Sequence, residues 1–324
     1  MRRRDFIGLL AAAATWPHAA RAQGAADYPT RLIKLMHGFP PGGNVDVVAR
    51  LMAQEMAKGL GQTIVVEGKP GIAGNLAAEA VSGAEPDGYT LILIAGLHPA
   101  VAAVYHNLKY DPLNGFAWIS TVSFYPFVIC VRKDSRFKTF ADLISAAREK
   151  PGGVTSGTAG NGSISHMTTE LIASLAKVKF LNVPYRGEGP ALTGTLGGEV
   201  DIMIATSTAA LPHLKSGALR GIGVTGKTRW KDFPDIPTVA ESGLADFEVI
   251  SWSGFAAPPK TPQPIIARLH AEIERSLKVP EVRTRLESFG AEVRSTTPAE
   301  MRDLVARQIA LWTKVANEAG IRLD

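Results

Sequence analysis

One stretch near the start of the chain sets the fold: RLIKLMHGFPPGGNVDVVARLMAQEM, residues 31–56. Its first seven residues, Arg31–His37, are mostly apolar, which predicts a buried strand. A loop rich in glycine and proline follows, Gly38–Asn44. Beyond it, apolar residues recur from Val48 to Leu60 at the spacing of one helix face, which predicts an amphipathic helix. A strand, a tight loop and a helix in this order form the basic unit of α/β proteins.

The same alternation of strand-like and helix-like segments continues along the chain, without an internal repeat. It predicts α/β layers with mostly parallel sheets. Two helix starts carry a capping box, Thr139 with Asp142 and Thr297 with Glu300. Further strands are predicted at residues 63–67, 90–95, 127–131, 154–156, 180–183, 200–204 and 219–225. Further helices are predicted at residues 75–81, 139–150, 163–176, 190–196, 209–216, 264–277, 281–289 and 298–319.

The 324 residues are enough for two domains of ordinary size. Two aromatic-rich segments, 122–131 and 247–258, are expected to cross between these domains. Two crossings would make the second domain an insertion in the first. We therefore expect a first lobe formed by residues 23–126 plus 252–324, and a second lobe formed by residues 127–251.

Residues 1–22 have the composition of an export signal. A basic head, Arg2–Arg4, precedes a short apolar middle, and Ala20–Ala22 gives an A-x-A cleavage pattern. The order Arg3-Arg4-x-Phe6-Ile7 resembles a twin-arginine signal, although an ordinary secretory signal has the same general composition. Either route predicts a periplasmic protein, and we expect the chain after the leader to be soluble because no other apolar stretch is long enough to span a bilayer.

The charge and cysteine content exclude several classes of protein. The whole chain has a net charge of +5. The leader carries four arginines and one aspartate, so the remainder is nearly neutral and has no basic stripe, and binding to nucleic acid is not expected. A single cysteine, Cys130, excludes a disulfide scaffold, a zinc ribbon and an iron–sulfur site built on this chain alone.

Three motifs suggest chemistry, but each has a simpler structural interpretation. Residues 221–228 match G-x-x-x-x-G-K-T, yet a phosphate-binding loop needs a helix starting at its Lys-Thr pair, and here prolines follow instead. His166 and Glu170 lie four residues apart, which alone is not a metal ligand set. Ser163 precedes His166 without a nucleophile elbow, so it is expected to cap the helix. No catalytic residue, metal or cofactor is therefore expected.

Two glycine-rich loops are the best candidates for a binding site. The first is Gly38–Asn44 and the second is Ser156–Ser163, and each lies between a predicted strand and a predicted helix. Glycines allow close approach to a backbone, and a helix N-terminus offers unpaired N–H groups and a positive dipole end. Facing each other across a cleft, two such loops would bind an anion. The alternative is that each is only a tight turn.

Short motifs follow one another along nearly the whole chain after the leader. They include Phe39-Pro40-Pro41-Gly42-Gly43, Pro86-Asp87-Gly88-Tyr89-Thr90, Ser163-x-x-His166, Val183-Pro184-Tyr185-Arg186-Gly187, Gly197-Gly198-Glu199-Val200-Asp201 and Pro234-Asp235-Ile236-Pro237-Thr238. Their joint order resembles the substrate-binding receptors of tripartite tricarboxylate transporters, often called Bug receptors.

This resemblance implies a two-lobed α/β fold of the periplasmic binding protein type (type II, clamshell), with two crossover segments. It implies a receptor and not an enzyme. Ligands of the family are mostly small carboxylates, including dicarboxylates, tricarboxylates, acidic amino acids and aromatic acids. The implied partners are the membrane permease subunits of the transporter, and we expect a monomer without a cofactor.

The resemblance also implies which residues line the ligand cleft. On the first lobe these are Phe39, Pro41, Gly42 and Gly43, with His98 in the loop after the third strand. On the second lobe they are Ser156, Thr158, Asn161, Gly162, Ser163, His166, Tyr185, Arg186 and Ala205.

Several alternatives stay open at this point. Arg186 is either a fork for a ligand carboxylate or a surface residue. Many relatives carry an aspartate where this chain has Ala205, which argues against an amino-acid ligand, and residues 96–100 also depart from the family pattern. The chain could serve a signalling partner instead of a permease, or use the cleft as an enzyme with His166 as a base. The compound that it binds is not identified by the sequence.

Overall fold

The computed structural model describes residues 27–323, so the leader predicted at residues 1–22 lies outside the described residues. Within them, the predicted alternation of strands and helices is confirmed. The strands are β1 (Ile33–His37), β2 (Ile64–Gly68), β3 (Thr90–Ala95), β4 (Ala117–Arg132), β5 (Thr155–Thr158), β6 (Leu181–Pro184), β7 (Ile202–Thr206), β8 (Leu219–Val224), β9 (Ile250–Ala257) and β10 (Glu292–Val293). The helices are α1 (Asn44–Leu60), α2 (Asn75–Ser82), α3 (Leu97–Val104), α4 (Phe140–Glu149), α5 (Ile164–Ala176), α6 (Glu188–Gly197), α7 (Ser207–Lys215), α8 (Gln263–Leu277), α9 (Pro280–Glu287) and α10 (Pro298–Ala319).

Local signals place several of these boundaries. Both predicted capping boxes are present, at Thr139 for α4 and at Thr297 for α10. The G-x-x-x-x-G-K-T stretch begins inside β8 and is not followed by a helix, so its interpretation as strand and not as a phosphate loop is confirmed. None of the helices in the described part of the chain combines the length and the apolarity of a membrane span.

Helix α3 was not predicted, because His98-Pro99 interrupts the apolar run after β3. Pro99 is the third residue of the helix, where the N–H group of any residue lacks an intrahelical partner, so a proline costs no hydrogen bond there. Strand β4 was predicted only in its second half. Its first half, from Ala117, was not predicted as a strand, and the expected crossing segment, residues 122–131, overlaps only its end.

Strand β4 belongs to both halves of a single sheet. Its first part pairs with β9, and the strand order there is β2-β1-β3-β9-β4, with β10 also on β4. Its last part pairs with β7 and β8, and the order there is β8-β4-β7-β5-β6. We call the first group of strands and its helices the first lobe, and the second group the second lobe. The exact residue boundaries of the lobes stay a prediction.

The expectation of mostly parallel sheets is wrong. The outer strands are parallel, β2 and β3 with β1, and β6 and β7 with β5. The strands in the middle are antiparallel, because the chain returns from the second lobe through β9 and re-enters the first lobe between β3 and β4. The result is a mixed sheet.

The apolar cores follow the two halves of the sheet, except at two helices. Helix α10 contributes Met301 and Val305 to a cluster of the first lobe, but Trp312 and Val315 to the core of the second lobe. Val104 at the end of α3 joins the same second-lobe core. Two helices therefore span the junction in addition to the backbone crossings.

Thr225 forms hydrogen bonds to both segments that cross between the lobes, β4 at Phe127 and the chain before β9 at Val249. It is completely buried, and its hydroxyl oxygen accepts the N–H of Phe127 at 2.9 Å, where β4 enters the second lobe. The same hydroxyl donates to the carbonyl oxygen of Val249 at 2.6 Å, just before β9. One side chain thus satisfies buried backbone groups of both crossings.

We expect Thr225→Val to lower the free energy of unfolding by about 1–3 kcal/mol, because the shape is kept while the buried Phe127 N–H loses its acceptor. The matched variant Thr225→Ser keeps the hydroxyl and should lose less. Urea unfolding of the three proteins measures the difference. Equal stability of the valine and serine variants would contradict this role.

Candidate ligand-binding site

The carboxyl ends of the parallel strands in the two lobes point toward each other. Strand β3 runs in the same direction as β4, since each is antiparallel to β9, whereas β7 runs opposite to β4. Ala95, at the end of β3, pairs with Ser253 of β9, which in turn pairs with Ser123 of β4. Thr206, at the end of β7, pairs with Phe127 of β4. These positions are four residues apart, about 13 Å along a strand. The carboxyl ends of both parallel groups therefore meet at the junction, where open α/β sheets bind their ligands.

The first glycine-rich loop is fixed by the buried carboxylate of Asp46. One oxygen accepts the N–H of Gly42 at 2.9 Å and the Nε–H of Arg50 at 3.0 Å, and the other lies 3.0 Å from His37 Nε2. The Arg50 guanidinium lowers the pKa of Asp46 to about 2. Gly42 has a φ of 77°, a conformation that favours glycine.

These contacts change which groups of the first loop can bind a ligand. The N–H of Gly42 is taken by Asp46, and the N–H of Gly43 points to the carbonyl oxygen of Pro40 at 3.4 Å. The first bond of helix α1 joins Val47 N–H to Gly43 O. The N–H groups of Asn44, Val45 and Asp46 come before it and remain available as donors at the helix N-terminus. Pro41, Gly42 and Gly43 are exposed beside them.

Phe39 and His98 line one small pocket at the carboxyl edge of the first lobe. The expectation that His98 lies in a loop is wrong, because it is the second residue of α3 and is 8% exposed. Its Nε2–H donates to the carbonyl oxygen of Pro112 at 2.8 Å. Burial lowers the pKa of His98 to about 4, so the ring is neutral at physiological pH.

Two of the predicted second-lobe residues are structural. Ser156 is completely buried and its hydroxyl bonds to the Thr169 hydroxyl at 3.0 Å. Thr158 is also completely buried and donates to Asn182 Oδ1 at 2.7 Å. Asn182 in turn donates to Asn161 Oδ1 at 3.0 Å, so this chain of polar groups ties the exposed Asn161 to the end of β5.

Ser163 and His166 shape the second glycine-rich loop. The Ser163 hydroxyl accepts the N–H of His166 at 3.3 Å and donates to the carbonyl oxygen of Gly160 at 2.6 Å, so the predicted cap of α5 is confirmed. His166 Nδ1 accepts the N–H of Gly162 at 3.1 Å, and its Nε2 lies 3.7 Å from Glu170. Burial lowers the pKa of His166. Both side chains thus hold the loop itself.

The donors left at the second loop are again those of a helix N-terminus. The first bond of helix α5 joins Met167 N–H to Ser163 O. The N–H groups of Ile164 and Ser165 come before it, and Gly160 and Asn161 precede them in the loop. Gly162 has a φ of 72°, close to the value at Gly42.

The remaining predicted residues lie at the ends of β6 and β7. The Tyr185 hydroxyl donates to Glu199 Oε2 at 3.0 Å, which holds the ring against α6. Arg186 is exposed, and Ala205 is completely buried within β7. Glu188 was missed: its carboxylate accepts the N–H of Thr206 at 2.7 Å and the Thr206 hydroxyl at 3.2 Å, so it fixes the turn after β7. Its position in the first turn of α6 was the only sequence signal.

Helix α3 stands between the two glycine-rich loops. Its first turn lines the pocket that contains Phe39 of the first loop. Its last residue, Val104, lies beside Gly162 of the second loop, where an added Cβ would come within 3.3 Å of the Val104 side chain. Eight helical residues span about 12 Å. The two loops therefore lie at opposite ends of this short helix.

A family model described as the tripartite tricarboxylate transporter family receptor matches residues 48–321. The chain belongs to this family. The resemblance inferred from the motifs is thereby confirmed, and membership implies a periplasmic solute-binding receptor.

Known proteins similar to this receptor cover nearly its whole length. A UPF0065 protein in the TAR-I ttuE-ttuC' intergenic region of Agrobacterium vitis is 37% identical over 318 residues, which are 97% of this chain and 91% of the relative. The solved periplasmic binding protein BugD is 32% identical, with a TM-score of 0.76 over 91% of this chain and 99% of BugD. The two-lobed α/β fold is therefore shown.

Two further solved structures contain carboxylates. MatC of Rhodopseudomonas palustris, with bound malate, is 36% identical with a TM-score of 0.76, and covers 89% of this chain and 99% of MatC. Rpa4515 of R. palustris, with adipate, is 34% identical with a TM-score of 0.79, and covers 91% of this chain and 99% of that protein. Both of these similar proteins thus hold a small dicarboxylate.

We expect Gly38→Ala to destabilise the receptor, because a Cβ there would lie 2.3 Å from the Cα of Gly74 in the neighbouring loop. Overpacking of this kind costs about 1–3 kcal/mol. The control Gly189→Ala places a methyl group in helix α6 with no atom within 4 Å, so it should leave stability unchanged or raise it slightly. Thermal unfolding compares them, and an unaltered melting temperature for Gly38→Ala would contradict the close packing of the two loops.

The stability of the receptor should depend on pH through Asp46. Its pKa is about 2 in the folded protein and about 3.9 in an unfolded chain. Because the folded value is the lower one, the stabilisation is complete above about pH 4 and is lost as the pH falls toward 2. The melting temperature of wild type should exceed that of Asp46→Asn at neutral pH. This difference in melting temperature should become smaller as the pH falls from about 4 toward 2. A gap independent of pH would contradict the assignment.

Proposed function

We propose that this receptor captures a small carboxylate between its two lobes and delivers it to the membrane permease of a tripartite tricarboxylate-type transporter. The observation that carries the proposal is the arrangement of the strands, which turns the carboxyl ends of β3 and β7 toward each other with a glycine-rich loop in each lobe. MatC and Rpa4515, which contain malate and adipate, support a dicarboxylate as the ligand.

The negative charge of the ligand is stabilised mainly by backbone groups. The first turns of α1 and α5 each present unpaired N–H groups at the positive end of a helix dipole. The completely buried Ala205 offers no carboxylate to repel an anion or to bind an ammonium group. This combination favours an organic acid without an amino group over an amino acid.

Capture proceeds by closure of the lobes on the ligand. One carboxylate binds the donors of the second loop at Gly160, Asn161 and the start of α5. The first lobe then brings Gly43 and the start of α1 onto the other end of the molecule. Since a ligand shifts an equilibrium only through its different affinity for two states, it must touch both lobes to favour the closed form. Thr225 bonds to both crossings, so we expect the two crossings to move together as one hinge.

Export completes the proposal. The leader at residues 1–22 directs the chain to the periplasm, by the twin-arginine route if Arg3 and Arg4 are recognised. There the closed receptor meets the permease subunits.

We expect Gly43→Trp to abolish binding of malate and adipate while leaving the fold intact. A Cβ at Gly43 contacts only the Pro40 carbonyl oxygen, at 3.4 Å, so the exposed loop has room for the larger side chain, and its bulk beside the start of α1 is expected to block the ligand. Isothermal titration measures Kd for wild type and variant. The control Gly83→Trp adds the same side chain at the far end of α2, at an exposed position, and should bind like wild type.

Two results would contradict the proposal. One is binding by Gly43→Trp with the affinity of wild type, which would place the ligand elsewhere. The other is a wild-type protein that binds no organic acid in a thermal-shift screen of dicarboxylates, tricarboxylates and aromatic acids, since a ligand of the folded state must raise its stability.

A further inference from the structure

Asn75, the first residue of α2, carries a hydrogen-bond donor with no partner among the described residues. Its side chain is only 7% exposed. The Oδ1 atom accepts the hydroxyl of Tyr110 at 2.7 Å. The Nδ2 atom is buried and makes no hydrogen bond within residues 27–323. Buried donors of this kind are rare in proteins, because an unpaired N–H group loses its bonds to water without replacement.

Asn75 also lines the pocket shared by Phe39 and His98. This pocket of about 20 Å³ lies where the first loop, the start of α2 and the start of α3 meet. A volume of that size accepts one oxygen-sized group. The lining includes Gly38, Phe39, Gly74, Asn75, Ile94 and His98.

The chemistry of the lining selects the kind of oxygen. The pocket accepts one oxygen-sized group, so it has no room for both oxygens of a carboxylate. The His98 ring is neutral, and its Nε2–H is occupied by the Pro112 carbonyl. A single neutral oxygen that accepts one hydrogen bond fits this environment, and a whole carboxylate group does not.

We propose that this pocket is a subsite of the cleft that holds one neutral oxygen on Asn75 Nδ2, either the hydroxyl of a hydroxycarboxylate or a bound water. The proposal rests on the function proposed above. It makes Asn75 a residue that distinguishes hydroxylated acids from their unsubstituted counterparts, independently of the donors that bind the carboxylates.

Malate and succinate test the proposal, because they differ by one hydroxyl group. Isothermal titration of both acids is compared for wild type and Asn75→Leu, which keeps the shape but removes the donor. If the ligand hydroxyl occupies the subsite, wild type prefers malate by about tenfold, the factor expected from one hydrogen bond, and the variant loses this preference. If a water occupies it, the variant weakens both acids equally. Unchanged affinities for both acids would overturn the proposal.

The control Tyr110→Phe removes the hydroxyl that holds Asn75 Oδ1 but leaves Nδ2 and the pocket lining in place. It should retain most of the discrimination of wild type. A loss of discrimination equal to that of Asn75→Leu would show that the effect is structural and would overturn the assignment to Nδ2.

A crystal structure of wild type, without ligand and with malate, decides the matter even if Asn75→Leu does not fold. An ordered oxygen within hydrogen-bond distance of Asn75 Nδ2 is expected in both crystals, and its identity in the malate crystal separates water from ligand. Absence of density there in both would overturn the subsite. If wild type binds neither malate nor succinate, the proposal that the receptor captures these dicarboxylates fails. The crystal without ligand still shows whether a water molecule occupies the subsite at Asn75 Nδ2.

Discussion

The two lobes share strand β4, and this shared strand sets the position of the loops that follow the parallel strands in both lobes. Because β4 passes from the first lobe into the second, the direction of each parallel group is set relative to the same strand. Strand β3 points toward the second lobe and β7 points back toward the first. The loops that follow the parallel strands must then lie at the junction. Neither lobe could reverse its strands without breaking its pairing to β4.

The two glycine-rich loops are held by the same local hydrogen-bond pattern, although their sequences differ. In each, a glycine with positive φ donates its N–H to a side chain four residues later, Gly42 to Asp46 and Gly162 to His166. The Asp46 and His166 side chains therefore hold the backbone, and the first turn of the next helix keeps its donors free. Such loops are organised before a ligand arrives, which reduces the conformational entropy that binding must overcome.

Local signals in the sequence were enough for the strand–loop–helix units, the capping boxes and the cap at Ser163, because these depend on residues a few positions apart. Contacts between distant segments were not predictable in the same way. The aromatic residues before Pro126 did not indicate that this segment pairs with β9. Pro99 argued against a helix at residues 97–104, although a proline is tolerated in the first turn. The roles of Asn75 and Glu188 depend on Tyr110 and Thr206, which no spacing along the chain connects to them.

Hydrogen–deuterium exchange with and without a saturating dicarboxylate tests most directly whether facing helix N-termini hold the ligand. We predict slower exchange of the amides at residues 44–46 and at residues 160–165 together, since one molecule must engage a loop in each lobe. Binding that protects only one of these segments, or neither, would contradict this account.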